Sequence, residues 1–153
     1  MPELKKLAER MGAEVVGADL RQMDDATFRW LHQAFLDHIF VVVRDQELTI
    51  PQFLDIGARF GPLRPHLVKK SRHPDYPDLM IMDNKVADTR TRQVAAQTDV
   101  TLVKLATTWH TDMSYEIDRP IATQMYSLAV PSTGGDTPFV NMYTAYELSL
   151  IHI

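Results

Sequence analysis

The chain has 153 residues, 45% hydrophobic and 24% charged, the balance of a soluble globular domain long enough to bury one core. Its formal net charge of -4 offers no general attraction to nucleic acid or anionic membrane, and the absence of cysteine excludes disulfides, thiolate metal sites and cysteine nucleophiles. The first residues carry no apolar signal-peptide core and no run approaches the roughly 18 apolar residues of a membrane helix, so a cytoplasmic location is expected.

Residues 13–20, Ala-Glu-Val-Val-Gly-Ala-Asp-Leu, read as a short strand running into a turn. Asp24 or Asp25 can cap a helix that places Phe28, Leu31 and Phe35 on one face. Ile39 to Val43 is a β-branched and aromatic run that predicts a buried strand, ended by Arg44-Asp45-Gln46. Thr49 can cap a second helix with Phe53, Ile56 and Phe60 as its apolar face and Gly61 as its stop. Leu79 to Met82 predicts a further strand.

Residues 84–108 are polar and weakly periodic and predict a long loop, with a short strand at Thr101-Leu102-Val103. Loops of this length inside a domain are commonly functional, and this one is a candidate lid. Strands are then expected at Trp109 to Asp112, at Ala122 to Val130 and at Thr137 to Asn141, with a tight turn at residues 131–136. Gly134-Gly135 is not followed by Lys-Ser/Thr in a strand-loop-helix setting, which argues for a turn and against a phosphate loop. Thr144 and Glu147 have the spacing of a capping box, so a last helix is expected to begin there. No internal repeat is present.

The chemistry concentrates at Trp109-His110-Thr111-Asp112. On a strand, His110 and Asp112 would share a face, and one imidazole with one carboxylate supplies two of the three donors of a 2-His-1-carboxylate iron site. The triplet alone is a weak signal in a chain with six histidines. Its setting strengthens it, with Tyr115 after it and Pro131-Ser132-Thr133-Gly134-Gly135-Asp136-Thr137 further on. After Asp112 the only histidine is His152.

From about Gly12 to Glu147 the chain resembles the N-terminal half of the TauD/TfdA family of Fe(II)/2-oxoglutarate-dependent dioxygenases. The resemblance rests on Gly17-Ala18-Asp19-Leu20, Val43-Arg44-Asp45-Gln46, Arg59-Phe60-Gly61-Pro62-Leu63, Trp109 to Asp112 and Ser132 to Thr137. It implies a mainly β fold with flanking helices, a partial double-stranded β-helix or jelly roll of the clavaminate synthase-like kind. It implies iron as metal with His110 and Asp112 as ligands, Thr137 as a contact for a 2-oxoglutarate carboxylate, and His66 as a substrate-binding residue. The activity implied is hydroxylation of a small anionic organic substrate, such as a sulfonate, an alkyl sulfate or an aryloxyalkanoate, with O2 consumed and succinate and CO2 released. The basic residues Lys69, Lys70, Arg72 and His73 suit such an anion, although a solvated loop is the plainer reading; His32 and His38 read as helix-surface or helix-end residues.

The family's distal iron-binding histidine and its 2-oxoglutarate-binding arginine have no counterpart up to Glu147, so the piece is expected to be inactive alone, with unpaired edges and exposed apolar surface. Residues 1–147 are expected to form the N-terminal half of one dioxygenase domain. Residues 148–153, Leu-Ser-Leu-Ile-His-Ile, match the translation of a transposon mosaic end used in preparing sequencing libraries, and are expected to be read-through, which would remove His152 as a ligand. Two rival classes are a non-catalytic jelly-roll binding module with a degenerate site and a cupin-type zinc or manganese enzyme. No nucleic-acid or membrane partner is expected, and a homo-oligomer stays open.

Overall fold

In the computed structural model, residues 2–65, 69–82 and 108–152 are described. They fall into two compact units, residues 1–56 with 125–153, and residues 57–124.

The first unit is built on a three-stranded sheet in the order β1-β2-β3. Strand β1 (Glu3–Lys6) runs antiparallel to β2 (Ala13–Val16), with Glu3 opposite Val16 and Lys6 opposite Ala13. Strand β3 (Val41–Val43) runs parallel to β2, with Ala13 opposite Val41 and Val15 opposite Val43. A parallel pair needs a long crossover, and helix α1 (Asp25–His38) supplies it. Alternation puts Ala13 and Val15 on the buried side of β2, and Leu31 and Ala34 of α1 are buried with them. Phe28 and Phe35, expected beside Leu31, are half-buried. β1 is a strand that sequence patterning did not indicate, because all four of its residues are exposed and it carries no apolar alternation.

Two joints shape this sheet. Gly12 (φ 82°) turns the chain into β2, and a Cβ there would lie 2.5 Å from the Phe40 ring. The second joint ends α1. Ile39 has φ 73° and ψ -41°, and the Phe40 amide donates to the His38 carbonyl at 2.8 Å, which makes a strained γ-turn at a β-branched residue. The same carbonyl accepts from Gly12 N–H at 2.7 Å. The strand expected from Ile39 therefore starts only at Val41.

The Gln46 amide stitches two loops. Its Nε2 donates to the carbonyls of Ala18 and Arg44, each at 2.8 Å, and its Oε1 accepts from Leu20 N–H at 2.9 Å. Gly17 (φ 78°) ends β2, and Asp19 caps the short 3-10 turn Leu20–Gln22. Tyr126 Oη donates to the Gln46 carbonyl at 2.9 Å and accepts from Leu48 N–H at 3.2 Å.

Thr49 and Gln52 form the capping box of helix α2 (Ile50–Phe60): Gln52 Oε1 accepts from Thr49 N–H at 2.9 Å, and Thr49 Oγ1 accepts from Gln52 N–H at 3.4 Å. The helix stops one residue before Gly61, buries Ile56, and uses Gly57 to leave room for the Gln124 side-chain amide. Helix α3 (Met142–Glu147) is capped by Asn141, whose Oδ1 accepts from Thr144 N–H at 3.1 Å. This corrects the capping box expected at Thr144: Thr144 sits in the first turn, and Asn141 meets its amide. Asn141 Nδ2 also donates to the Arg10 carbonyl at 3.0 Å.

The expected strands at 109–112, 122–130 and 137–141 do not form among the described residues. A strand exists only as part of a ladder, and these segments have no paired neighbour there. Their apolar residues lie open, Leu128 at 85% and Val130 at 76% exposure. The segment at Leu79 to Met82 is reduced to a single antiparallel bridge between Arg72 and Met80. The expected loop over 84–107 and the strand at 101–103 lie outside the described residues. What the structure gives is an α+β arrangement, a small sheet with helices.

Replacing Gln46 by Ala is expected to cost about 1–3 kcal/mol in urea unfolding, since it strands a donor and two acceptors. Gln46→Glu should cost no less, because a carboxylate would face two carbonyl oxygens; a Glu variant as stable as the parent would refute this orientation of the amide.

Asp24 caps α1, with Oδ1 accepting from Thr27 N–H at 2.7 Å. That backbone hydrogen bond holds its carboxyl below the ordinary carboxylate range. Because the folded pKa is depressed, the contribution is present above the unfolded value and lost as pH falls through the folded one. Asp24→Asn should keep the cap at neutral pH and remove this acid-limb dependence, as followed by circular dichroism. An unchanged acid limb would contradict it.

Candidate metal centre

His110 and Asp112 lie in the second unit, on a stretch without regular secondary structure that leads into a turn at Asp112–Tyr115. Met113 takes φ 50°, and Glu116 N–H donates to its carbonyl at 3.0 Å. The expected strand is thus replaced by a turn. The juxtaposition expected of a strand is nevertheless reached: His110 Nε2 lies 3.1 Å from Asp112 Oδ1. Both side chains are half exposed.

The remaining polar atoms of the pair are engaged. His110 Nδ1 lies 2.8 Å from the Thr108 carbonyl oxygen. A carbonyl and a carboxylate both only accept, so the protonated imidazole satisfies both contacts, donating from Nδ1 to Thr108 and from Nε2 to Asp112. The Thr108 carbonyl accordingly raises the His110 pKa; burial opposes this, and the charge and hydrogen bond of Asp112 add to it. On the far side of the carboxylate, Thr123 Oγ1 donates to Asp112 Oδ2 at 2.8 Å. Thr108 and Thr123 were not singled out by sequence reasoning. Nothing in their local pattern marks them, since one acts through its backbone and the other from eleven residues downstream of Asp112.

The 3.1 Å separation is that of an N–H···O hydrogen bond, and an imidazole nitrogen with a carboxylate oxygen is also a donor pair that divalent metals take. Orienting hydrogen bonds behind both ligands are also characteristic of metal sites. Among the described residues no group of three or more His, Asp or Glu side chains could hold a metal.

Thr137 belongs to the first unit, where it is exposed and follows a turn with Gly134 at φ 73° and Gly135 at φ 77°. A Cβ at Gly135 would stand 2.8 Å from the Pro131 ring, so this turn requires glycine there. His66 lies outside the described residues. In the basic cluster, Lys69–Ser71 is a 3-10 turn, and the His73 imidazole accepts from Asp75 N–H at 3.1 Å and packs against Tyr76.

Residues 3–148 match the model of the family described as taurine catabolism dioxygenase TauD, TfdA family. The chain belongs to that family. It is 30% identical to an alkylsulfatase of Acinetobacter baylyi, over 95% of this chain and 41% of the relative. It is also 30% identical to the (S)-phenoxypropionate/alpha-ketoglutarate-dioxygenase of Sphingobium herbicidovorans, over 95% of this chain and 47% of the relative. A solved taurine dioxygenase from Burkholderia xenovorans is 31% identical, with a TM-score of 0.45 over 50% of this chain and 28% of that one. The chain spans less than half the length of the curated relatives it matches. Among the described residues no helix is long and apolar enough to cross a membrane.

The hydrogen bond to Thr108 makes a specific prediction for the metal-free chain at a pH where His110 is neutral. Long-range 15N–1H correlation spectra should show Nδ1 as the protonated nitrogen. Protonation at Nε2 would remove the lone pair from the face that meets Asp112 and overturn the site.

Proposed function

We propose that this chain is the metal-binding portion of an Fe(II)- and 2-oxoglutarate-dependent dioxygenase that hydroxylates a small anionic organic molecule. The observation that carries the reading is the approach of His110 Nε2 to Asp112 Oδ1 at 3.1 Å, with the opposite atom of each group already hydrogen-bonded. In this reading His110 Nε2 and Asp112 Oδ1 are two of the protein's iron ligands. Bound iron and 2-oxoglutarate together supply oxidation of a substrate C–H bond by O2, with succinate and CO2 as co-products. In this reading the chain forms part of a jelly roll with flanking helices.

The roles of Asp112 and Thr108 follow from their chemistry, and those of Thr137 and His66 from the resemblance to the family. Asp112 lowers the net charge at the metal, and the Thr108 carbonyl keeps the Nε2 lone pair aimed at it. The Thr137 hydroxyl, placed after the Gly134-Gly135 turn, contacts a carboxylate of 2-oxoglutarate. His66 binds the anionic group of the substrate. Relatives named as acting on phenoxypropionate, 2,4-dichlorophenoxyacetate and sulfonates share an anionic head group, which supports an anionic substrate here.

The test is an assay of succinate formation from 2-oxoglutarate by the product of the source reading frame, offered sulfonates, alkyl sulfates and aryloxyalkanoates. Turnover should require Fe(II) and O2 and be stimulated by one of these classes. His110→Ala and Asp112→Ala should each lower it by more than the roughly 100-fold upper range for residues behind the ligands. Turnover supported by zinc without 2-oxoglutarate would refute the assignment.

A further inference from the structure

Strand β1 is an edge of the three-stranded sheet, and among the described residues its outer side has no neighbouring strand. The phase of its hydrogen bonds is set where the loop between β1 and β2 closes: Leu7 N–H donates to the Gly12 carbonyl at 2.9 Å. Bonded and non-bonded pairs alternate along an antiparallel ladder. Lys5 opposite Glu14 and Glu3 opposite Val16 are then bonded pairs, and the N–H and C=O groups of Leu4 and Lys6 point outward. The side chains divide by face. Leu4 stands opposite Val15 and Lys6 opposite Ala13, on the side of the sheet where Ala13 and Val15 are buried, and Glu3 and Lys5 lie on the other. All four residues of the strand are exposed.

A free edge is a template for another strand, and lysines on it ordinarily discourage pairing. β1 carries the counter-charge in its own sequence, Glu3-Leu4-Lys5-Lys6. Two copies of one strand pair antiparallel about a two-fold axis normal to the sheet, and opposed side chains share a face. The axis therefore passes beside one residue, which meets itself. Centred on Leu4, it sets Leu4 against Leu4 and Glu3 against Lys5 of the second copy, twice by symmetry. Centred on Glu3, Lys5 or Lys6, it sets like charges against each other. The Leu4 register also matches the backbone: each Leu4 N–H meets the other Leu4 carbonyl, and each Lys6 N–H faces the Pro2 carbonyl. Glu14, opposite Lys5 in its own sheet, is held by Arg44 at 3.1 Å, which leaves the Lys5 ammonium to Glu3 of the second copy.

We propose that β1 is a self-association surface through which two copies of this chain pair, antiparallel and centred on Leu4, joining two three-stranded sheets into one. Leu4 of each copy extends the apolar side begun by Val15, and the Glu3–Lys5 pairs lie on the opposite side. A strand of four residues makes a small interface, so the dimer is weak and concentration-dependent. It draws on nothing at His110 or Asp112.

The experiment is sedimentation equilibrium of the 153-residue chain over a range of concentrations, with circular dichroism to show that each variant keeps the parent's fold. The parent should show a monomer–dimer equilibrium. Glu3→Lys and Lys5→Glu each set like charges opposite one another at both symmetric positions, and each should weaken the dimer about 10-fold or more. Mixing the two single variants should restore dimerisation, because each supplies the charge that the other lacks. The double variant Glu3→Lys/Lys5→Glu should dimerise as the parent does. A loss of structure would not be rescued in this way. A chain that is monomeric at every concentration overturns the proposal. So does weakening without rescue on mixing, which rules out the register centred on Leu4. A dimer that both single variants leave unchanged overturns it as well, and would place self-association elsewhere, for example on the exposed Tyr143, Tyr146 and Leu148.

Discussion

One side-chain amide closes the loop architecture around the sheet of the first unit. Gln46 satisfies two carbonyls and one N–H on two separate loops, and its own carbonyl is met by Tyr126 from far along the chain. An amide is suited to this place because it donates and accepts at once, whereas a carboxylate or an ammonium does only one. The γ-turn at Ile39 is a second constraint on the same sheet. The His38 carbonyl there meets both Phe40 N–H and Gly12 N–H, which ties the end of α1 to the start of β2. A strained backbone at a β-branched residue persists only where its surroundings determine it, and the shared carbonyl is such a determinant.

The candidate metal pair is organised by hydrogen bonds more than by secondary structure. A turn at Met113 brings the carboxylate back toward the imidazole, and the Thr108 carbonyl meets the other ring nitrogen. Both side chains are half exposed, so solvent weakens the attraction between the two groups. Each of the two hydrogen bonds ties one atom of its side chain to the protein, and the remaining atoms of the pair meet each other.

Family membership and site geometry support one another without being the same kind of observation. The match over residues 3–148 comes from patterns spread along the whole chain, whereas the 3.1 Å approach comes from two side chains alone. The residues after Val130 add a further feature. Phe139, Val140, Met142, Tyr143 and Tyr146 are apolar or aromatic and substantially exposed, although Phe139 stacks on Phe40 with ring centroids 4.4 Å apart.

The sequence by itself determined the local features whose causes are local. The caps at Asp24 and Thr49 and the stop before Gly61 each depend on a few neighbouring residues, and each was legible. So was the pairing of His110 with Asp112 as candidates, because two residue types at a spacing of two suffice to raise it. Tertiary structure decided the rest. β1 has no amphipathic signature and exists because β2 pairs with it. Asn141 displaced Thr144 as a cap once the chain geometry aimed its side chain at the Thr144 amide. Strand-like patterns at 122–130 and 137–141 formed no strands among the described residues, since β propensity needs a partner edge to become structure. Thr123 could be assigned to Asp112 only in three dimensions, because a hydrogen bond across eleven residues depends on where the intervening turn directs the chain.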